Sequence, residues 1–435
     1  MDCSEQQRAA CALAGIYTAL AINKVLPVLH TGPGCMYSMS GILGKMNGGQ
    51  NSFPYSETVI PCTDFCESDV VFGGAKHLRK ILDNTLKYYD ADLIIATDGC
   101  AAEIVGDDLE EITGAYEGSR IPIIYAKLPG FKGNNLYGHT QILESIIDQF
   151  LESSTVKNPG QVNVWGIVPY YDPMWQGTLE RIEGLLLDLG LKPNIIYGHK
   201  KGIEEVKKIP EAELNLLLSP WIDKEIVEKL ERKFGTPYFQ YPCVPIGPTE
   251  TGEFIRSLTK KLGRHMGQAE KYIKEQEDRY YYYINRHITW FLESKDFQKN
   301  FYMISSASAA VSTVRFAVND MGMIPEEIYI TDGVPNKYQQ SIADEINKAD
   351  YKGGDIKVIF TEDGGLPALE LKKKNVAGSI IFGSNWEEIT AKELGMKLIP
   401  IATPFGNFIV GEKNYFGYSG GIDLFADIAT KALGY

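Results

Sequence analysis

Short β-branched runs alternate with longer helical periods along this sequence, and this alternation limits the possible folds more than any other feature does. The run Leu-Ile-Ile-Ala at 93–96 is apolar throughout, which suits a strand of a parallel sheet covered on both faces. Strands that alternate with helices predict an α/β fold with parallel sheets. The predicted strands are 25–29, 93–97, 121–125, 162–168, 194–197, 214–218, 301–305, 327–331, 356–360, 378–382 and 397–401. The predicted helices are 73–88, 140–151, 175–189, 224–233, 251–262, 311–321, 337–348 and 422–433.

Two seams divide this series into domains. The polar stretch 153–161 contains Pro159 followed by Gly160 and suits a linker before a new first strand. The stretch 263–298 is charged, has four successive tyrosines at 280–283, and is typical of a long helix over 269–291. A chain of 435 residues is long enough for about three domains. We therefore predict α/β domains at 1–155, 156–262 and 296–435, with a bridging helix at 263–295.

The charge balance excludes several classes of partner. With 43 basic and 56 acidic residues the net charge is −13, which argues against binding to nucleic acid or to an anionic membrane surface. No apolar run approaches the roughly 20 residues that a membrane span requires. The first residues lack the basic start and apolar stretch of a signal peptide. These features predict a cytoplasmic protein.

The distribution of cysteines is the first functional signal. Six of the seven cysteines lie within the first 100 residues, and seven is too few and too odd a number for a disulfide framework. Cys35 and Cys100 each follow a predicted strand in a glycine-containing loop, where α/β sheets bind ligands. The glycines of these loops let the backbone approach a bulky inorganic group and direct N–H groups at sulfur. These candidate cofactor-binding glycines are Gly32, Gly34 and Gly99.

These thiols allow three interpretations. Each cysteine alone could be a buried small hydrophobic residue. Zinc sites usually contain short Cys-x-x-Cys pairs, and only Cys62 and Cys66 are close in sequence, at a spacing of four. Single cysteines from several distant loops fit an iron–sulfur cluster better.

Several motifs together resemble those of the nitrogenase component 1 family. They include His-Thr-Gly-Pro-Gly-Cys at 30–35, Asp-Val-Val-Phe-Gly-Gly at 69–74 and Cys-Ala-Ala-Glu-Ile-Val-Gly-Asp-Asp-Leu at 100–109. The resemblance continues at 214–216, 245–251 and 416–421, in the same order, so it extends over essentially the whole chain. The family includes catalytic molybdenum–iron-type subunits, scaffolds for cofactor assembly, and related reductases.

The resemblance implies three Rossmann-like, doubly wound parallel-sheet domains in a subunit that pairs with a second component 1-type subunit. Three cysteines per subunit would hold an interface iron–sulfur cluster, of the [4Fe-4S] or [8Fe-7S] P-cluster type. An ATP-dependent homodimeric iron protein would dock over this cluster and supply electrons. Cys35 and Cys100 match both branches of the family, and Cys11 ranks before Cys62 and then Cys66 as the third ligand. Cys3 is expected to be a tail thiol and Cys243 a core residue.

The resemblance also bears on a second, active-site cofactor. Catalytic α-type subunits hold it with a cysteine after a middle-domain strand and a histidine near the C-terminus. Here Ser219 follows the run 214–218, and no histidine lies beyond His287. We therefore expect no active-site metallocluster in the usual place. The function expected is a reductase subunit that relays electrons, with a non-catalytic scaffold for metallocluster assembly as the alternative.

Three smaller motifs leave alternatives open. The turn 133–140 has P-loop spacing but carries His139 in place of the phosphate-binding lysine, so a turn with Thr140 near a helix start is favoured. His30 would either donate to a cluster sulfur or cap its strand. The pair Asp107 and Asp108 is more typical of a helix start than of acid–base or Mg²⁺ chemistry. The tyrosines at 280–283 are expected to pack between domains or subunits.

Overall fold

The computed structural model describes residues 6–46, 60–154, 156–287, 299–407 and 409–432. Cys3 and the predicted helical residues 288–291 lie outside these ranges.

Three parallel sheets carry the fold, and each is built from consecutive strands of the chain. Every strand pair in them is parallel, which confirms the predicted α/β class. The first sheet has the order β1-β2-β3, the second β5-β4-β6-β7 and the third β10-β9-β8-β11-β12. The strands are β1 (Val25–His30), β2 (Leu93–Asp98), β3 (Ile123–Lys127), β4 (Asn158–Trp165), β5 (Lys192–Asn194), β6 (Ala212–Leu218), β7 (Tyr238–Tyr241), β8 (Asn300–Ser305), β9 (Ile324–Ile330), β10 (Lys357–Phe360), β11 (Ile380–Gly383) and β12 (Lys397–Pro400).

Helices connect these strands, as parallel pairing requires a crossover between neighbours. The α-helices are Ile16–Leu20, Pro33–Met46, Glu67–Phe72, Ala75–Tyr88, Cys100–Val105, Leu109–Gly114, Asn135–Ser145, Trp175–Asp188, Ile203–Lys207, Lys224–Phe234, Gly247–Lys261, Met266–Ile284, Ala307–Arg315, Asn336–Asn347, Gly365–Leu371, Glu388–Leu394 and Gly417–Ala432. Among the described helices, none is long and apolar enough to cross a membrane.

One hydrophobic cluster extends through all three sheets and includes Leu29, Leu216 and Met303. All residues of β1 and β2 are buried, as expected for strands with helices on both faces. The helix Lys224–Phe234 shows how the amphipathic pattern works, since it buries Ile226, Val227 and Leu230 and leaves its charged residues toward solvent.

Each predicted strand overlaps an observed one, although the prediction 194–197 shares only Asn194 with β5, and β7 was missed. Pro237 and Pro242 flank this short segment, and three of its four residues are only partly buried, so it lacks the pattern of a core strand. The predicted helix 140–151 begins earlier, at Asn135, because the Asn134 side chain caps it. In the bridging segment Tyr280 is buried, whereas the next three tyrosines are exposed.

Candidate functional site

The carboxyl ends of β1 and β2 lie level, since His30 is the register partner of Asp98. Cys35 lies in the first turn of the helix Pro33–Met46 that follows β1, and Cys100 is the first residue of the helix that follows β2. Both thiols therefore lie at one edge of the first sheet, next to the loop that follows β3.

Cys11 reaches this edge from a segment that precedes the sheet. Its backbone forms an isolated bridge with Asn134, and the 3₁₀ turn Ala12–Gly15 follows it directly. The turn packs on the helix Asn135–Ser145 through two glycines, where a Cβ built on Gly138 would lie 2.0 Å from the Ala12 carbonyl oxygen. Main-chain contact without intervening side chains thus fixes the position of Cys11.

Gly130, in the loop after β3, is the residue at which two of the thiols meet. Its N–H donates a 3.2 Å hydrogen bond to Sγ of Cys100. A Cβ built on Gly130 would lie 2.6 Å from Sγ of Cys11 and 3.5 Å from Sγ of Cys100. This residue was not predicted from the sequence, although a Pro-Gly pair after a predicted strand was a signal for it.

The electrostatics of Cys11 link it to the other two thiols. Burial raises the pKa of the Cys11 thiol above its usual value, and the charges of Cys100 and then Cys35 raise it further, against a hydrogen bond from Leu13. The charges of both neighbouring thiols thus act on Cys11.

Cys62 and Cys66 have different surroundings. Sγ of Cys62 donates to the Thr31 carbonyl oxygen at 3.3 Å. Burial raises the pKa of the Cys62 thiol, and backbone hydrogen bonds with Asp64 and Thr31 lower it in part. Sγ of Cys66 lies 3.1 Å from the Ser68 hydroxyl. Cys243 is fully buried, as expected for a core residue.

The three predicted glycines differ in what fixes them. A Cβ on Gly99 would lie 2.3 Å from Oγ1 of Thr31, so this position excludes a side chain. A Cβ on Gly32 would make ordinary contact with the Phe65 carbonyl, and one on Gly34 would meet no described atom within 4 Å. The space beside Gly34 is therefore open on the face that carries Cys35.

Both ring nitrogens of His30 have protein partners among the described residues, which leaves neither of them for a cluster sulfur. Its Nε2 lies 2.9 Å from Oδ2 of Asp107 and its Nδ1 lies 3.1 Å from Oγ1 of Thr63, which occupies both ring nitrogens. Asp108 starts a helix as predicted, because its side chain accepts from the N–H groups of Glu110 and Glu111. Asp107 is buried and contacts His30 instead of starting the helix.

Exposed apolar side chains surround the cysteine loops, and we call them the apolar rim. The helix Glu67–Phe72 presents three of them in succession, with Phe72 86% exposed. Such a concentration of large exposed apolar residues marks a surface for protein contact. The rim consists of Tyr37, Val70, Val71, Phe72, Ile104 and Phe131.

A cleft of about 870 Å³ opens beside Cys11 and is walled by loops of all three sheets. Phe131 and Tyr137 line the side nearest the first sheet, and Trp221 and Tyr338 line the opposite side with their ring centroids 6.3 Å apart. Among the described residues that line the cleft, Cys11 is the only cysteine or histidine.

Ser219, which follows β6, is fully buried. Its hydroxyl lies 3.1 Å from that of Ser308 and accepts from the Ile222 N–H. A cavity beside Ser308 extends to Tyr415 and Phe416. Its volume of about 100 Å³ is well below that of typical ligand pockets.

The turn 133–140 is structural. Nδ1 of His139 lies 2.7 Å from the Thr18 hydroxyl and Nε2 lies 3.0 Å from Oδ1 of Asp223, so this buried ring ties two sheets together. The favoured interpretation as a turn holds, although Asn134, and not Thr140, marks the helix start.

Among the described residues, no group of three or more His, Cys, Asp or Glu side chains converges as a site for a single metal ion. An iron–sulfur cluster takes its thiolates on separate iron atoms, so its ligands need not converge on one point. The donor set of three thiols beside backbone N–H groups and glycines fits such a cluster by its chemistry.

Comparisons with known proteins agree with this geometry. The sequence model of the nitrogenase component 1 type oxidoreductase family matches residues 11–433. The nitrogenase molybdenum-iron protein beta chain of Clostridium pasteurianum is 23% identical over 97% of this chain and 91% of its own length.

Two further relatives and one solved structure extend the comparison. A subunit of the light-independent protochlorophyllide reductase of Angiopteris evecta is 26% identical over 79% of this chain and 68% of its own length. The nitrogenase iron-molybdenum cofactor biosynthesis protein NifE of a Nostoc species is 27% identical over 63% of this chain and 57% of its own length. A structure of nitrogenase Cp1 at pH 6.5 superposes with a TM-score of 0.80, at 21% identity, over 100% of this chain and 93% of the other. The chain therefore belongs to the nitrogenase component 1 type oxidoreductase family.

Proposed function

We propose that this chain is a component 1-type reductase subunit that binds an iron–sulfur cluster and relays low-potential electrons through it. The observation that carries the proposal is the meeting of the Cys11 and Cys100 thiols at Gly130, with Cys35 close enough to act on Cys11. Bound there, the cluster would supply one-electron redox chemistry, while the protein controls its exposure and the hydrogen bonds to its sulfurs.

Cys11, Cys35 and Cys100 are the proposed ligands. Cys11 is preferred over Cys62 as the third because Cys11 shares Gly130 with Cys100, whereas the Cys62 thiol is engaged by the Thr31 carbonyl. The Gly130 N–H, which already points at Sγ of Cys100, would stabilise negative charge on that thiolate.

Two protein partners are proposed for the apolar rim: a second component 1-type subunit and an ATP-dependent iron protein. Two of the relatives are named as one chain or one subunit of a larger enzyme, which supports an oligomeric assembly. We assign the helix Glu67–Phe72 to the iron protein, because Asp107 connects this helix to both cysteine loops. A cytoplasmic location agrees with this assembly.

The cleft beside Cys11 is the proposed destination of the electrons within this chain. A small molecule bound in this cleft would contact the segment that carries Cys11, one of the proposed cluster ligands. Electron transfer from the cluster to that molecule would then need no intermediate carrier. Its volume of about 870 Å³ is within the range of sites for molecules of drug-like size.

Anaerobic purification with metal analysis tests the proposal. We expect a brown protein with iron and acid-labile sulfide in near-equal amounts, and loss of most of the iron in Cys35→Ala and Cys100→Ala. Cys66→Ala is the matched control, since its side chain engages Ser68 and Asp69 at the start of the helix Glu67–Phe72. Protein that stays colourless and free of iron after anaerobic reconstitution would refute the proposal.

A scaffold for metallocluster assembly is the second candidate. Ser219 in the position of the cofactor cysteine and the similarity to a cofactor biosynthesis protein favour it. A scaffold loaded with cluster should transfer metal to a separate apo-enzyme and reduce little substrate itself. A reductase subunit should turn over with its partner and the iron protein and keep its metal.

A further inference from the structure

One buried carboxylate joins three segments of the proposed site. Asp107 lies two residues beyond the end of the helix Cys100–Val105, and its N–H donates back to the Ala102 carbonyl at 3.2 Å. Its Oδ2 lies 2.9 Å from Nε2 of His30, the last residue of β1, and accepts a 2.8 Å hydrogen bond from the Gly74 N–H. His30 leads into the Cys35 loop, and Gly74 follows the exposed helix Glu67–Phe72.

The junction has no free space. A Cβ on Gly74 would lie 2.5 Å from the Phe65 ring, 2.6 Å from the His30 ring and 3.0 Å from Asp107. Gly73, beside it, has a φ of +83°, and a Cβ there would lie 3.1 Å from the other carboxylate oxygen. A displacement of the exposed helix relative to the cysteine loops must therefore move Asp107 or break its bonds.

The protonation of His30 sets the direction of the hydrogen bonds at this junction. Burial lowers the pKa of His30, and its bond to Asp107 offsets only part of that effect. The neutral ring then donates from Nε2 to Asp107 and accepts the Thr63 hydroxyl at Nδ1. Two N–H groups from different segments thus share one carboxylate oxygen, a charge-assisted arrangement stronger than neutral hydrogen bonds.

We propose that Asp107 is a positioning residue that transmits docking at the helix Glu67–Phe72 to the Cys35 and Cys100 loops. This inference rests on the proposed function, in which the iron protein covers that helix. Docking would restrict the movement of the helix. This restriction would reach both loops through Gly74, Asp107 and His30, without contact between the docked protein and the cluster ligands.

Asp108 supplies a matched control, because it is adjacent, exposed and bonded only within its own helix start. Asp107→Asn keeps the shape of the side chain and removes its charge. His30→Gln tests the same connection from the other side and serves if the first variant is unstable.

The experiment is hydrogen exchange with mass spectrometry on the complete complex, with and without the iron protein, followed through peptides spanning 29–38 and 98–106. We expect docking to slow exchange in both peptides by about fivefold or more in the wild type and in Asp108→Asn, a typical coupling between sites. In Asp107→Asn and His30→Gln, peptides from the helix Glu67–Phe72 should still be protected while the two loop peptides are not.

A second readout is the midpoint potential of the cluster with and without the iron protein. It should shift on docking in the wild type and in Asp108→Asn only. Loop protection in Asp107→Asn equal to that in Asp108→Asn, or its absence in the wild type, would overturn the inference. Absence of iron from the wild type would instead refute the proposed function, since the iron content is measured separately from the exchange.

Discussion

At the scale of single residues, the chemistry of this site depends on a glycine as much as on its cysteines. Gly130 lets two sulfurs approach the same backbone position and directs its N–H at one of them. The cysteines stood out in the sequence because their side chains carry the chemistry. Gly130 did not, because its role depends on which loops the fold brings together.

Gly130→Ala should therefore remove the cluster without unfolding the protein. The added methyl would lie 2.6 Å from Sγ of Cys11, so the thiol must leave its position beside residue 130. We expect iron content to fall several-fold while circular dichroism stays unchanged. Gly114→Ala is the control, because a Cβ there meets no described atom within 4 Å. Equal iron in both variants would contradict the role assigned to Gly130.

Asp320 offers a prediction about pH. Burial raises the pKa of this carboxyl from 3.8 to about 7, and its Oδ2 has no hydrogen-bond partner among the described residues. The folded state therefore binds a proton more tightly than the unfolded chain between these values. Asp320 stabilises the fold when protonated, and this contribution is lost as the pH rises from 3.8 through the folded pKa of about 7.

Asp320→Asn should flatten this dependence. The slope of the unfolding free energy against pH between the two pKa values should fall by up to about 1.4 kcal/mol per pH unit. Urea denaturation of both proteins at a series of pH values measures it. An unchanged slope would show that the Asp320 carboxyl does not titrate in this range.

At the scale of elements, the position of Cys11 is set by the packing of a 3₁₀ turn on a helix. Gly138→Ala places a Cβ 2.0 Å from the Ala12 carbonyl, and overpacking of this kind costs about 1–3 kcal/mol. Urea denaturation should show this loss, together with a drop in iron content. Gly184→Ala lies in the helix Trp175–Asp188 with no described atom within 4 Å of its Cβ, so it should leave the iron content unchanged and raise stability by about 0.5–1 kcal/mol through helix propensity.

Elements with a strong local pattern could be predicted, and elements defined by distant contacts could not. The apolar runs of β1 and β2 carry their own signal, so their limits were found to within a residue. By contrast, β7 exists because β6 offers it a partner, with Asn215 opposite Tyr238. The junction at Asp107 was missed for the same reason, since its partners lie 77 and 33 residues away in sequence.

At the scale of the whole molecule, the apolar rim is the surface proposed to bind partner proteins. Val71→Asp should weaken binding of the iron protein by about tenfold or more, because a carboxylate at the contact must lose its water. Ile389→Asp is the control: its side chain is 72% exposed, close to the 71% of Val71, and belongs to a helix packed on the third sheet. Sedimentation velocity with the iron protein measures both variants. Equal weakening in the two would mean that the rim is not the docking surface.

The strand orders have a consequence for biosynthesis. The first sheet uses its strands in the order of synthesis and is complete at Lys127, whereas β8 in the third sheet waits for partners on both sides, the later of them ending at Gly383. As the chain leaves the ribosome, the loops with Cys35 and Cys100 are thus set side by side long before the third sheet can close. Under the proposed function, a maturation factor that delivers the cluster to these loops would meet an open first sheet instead of the finished subunit.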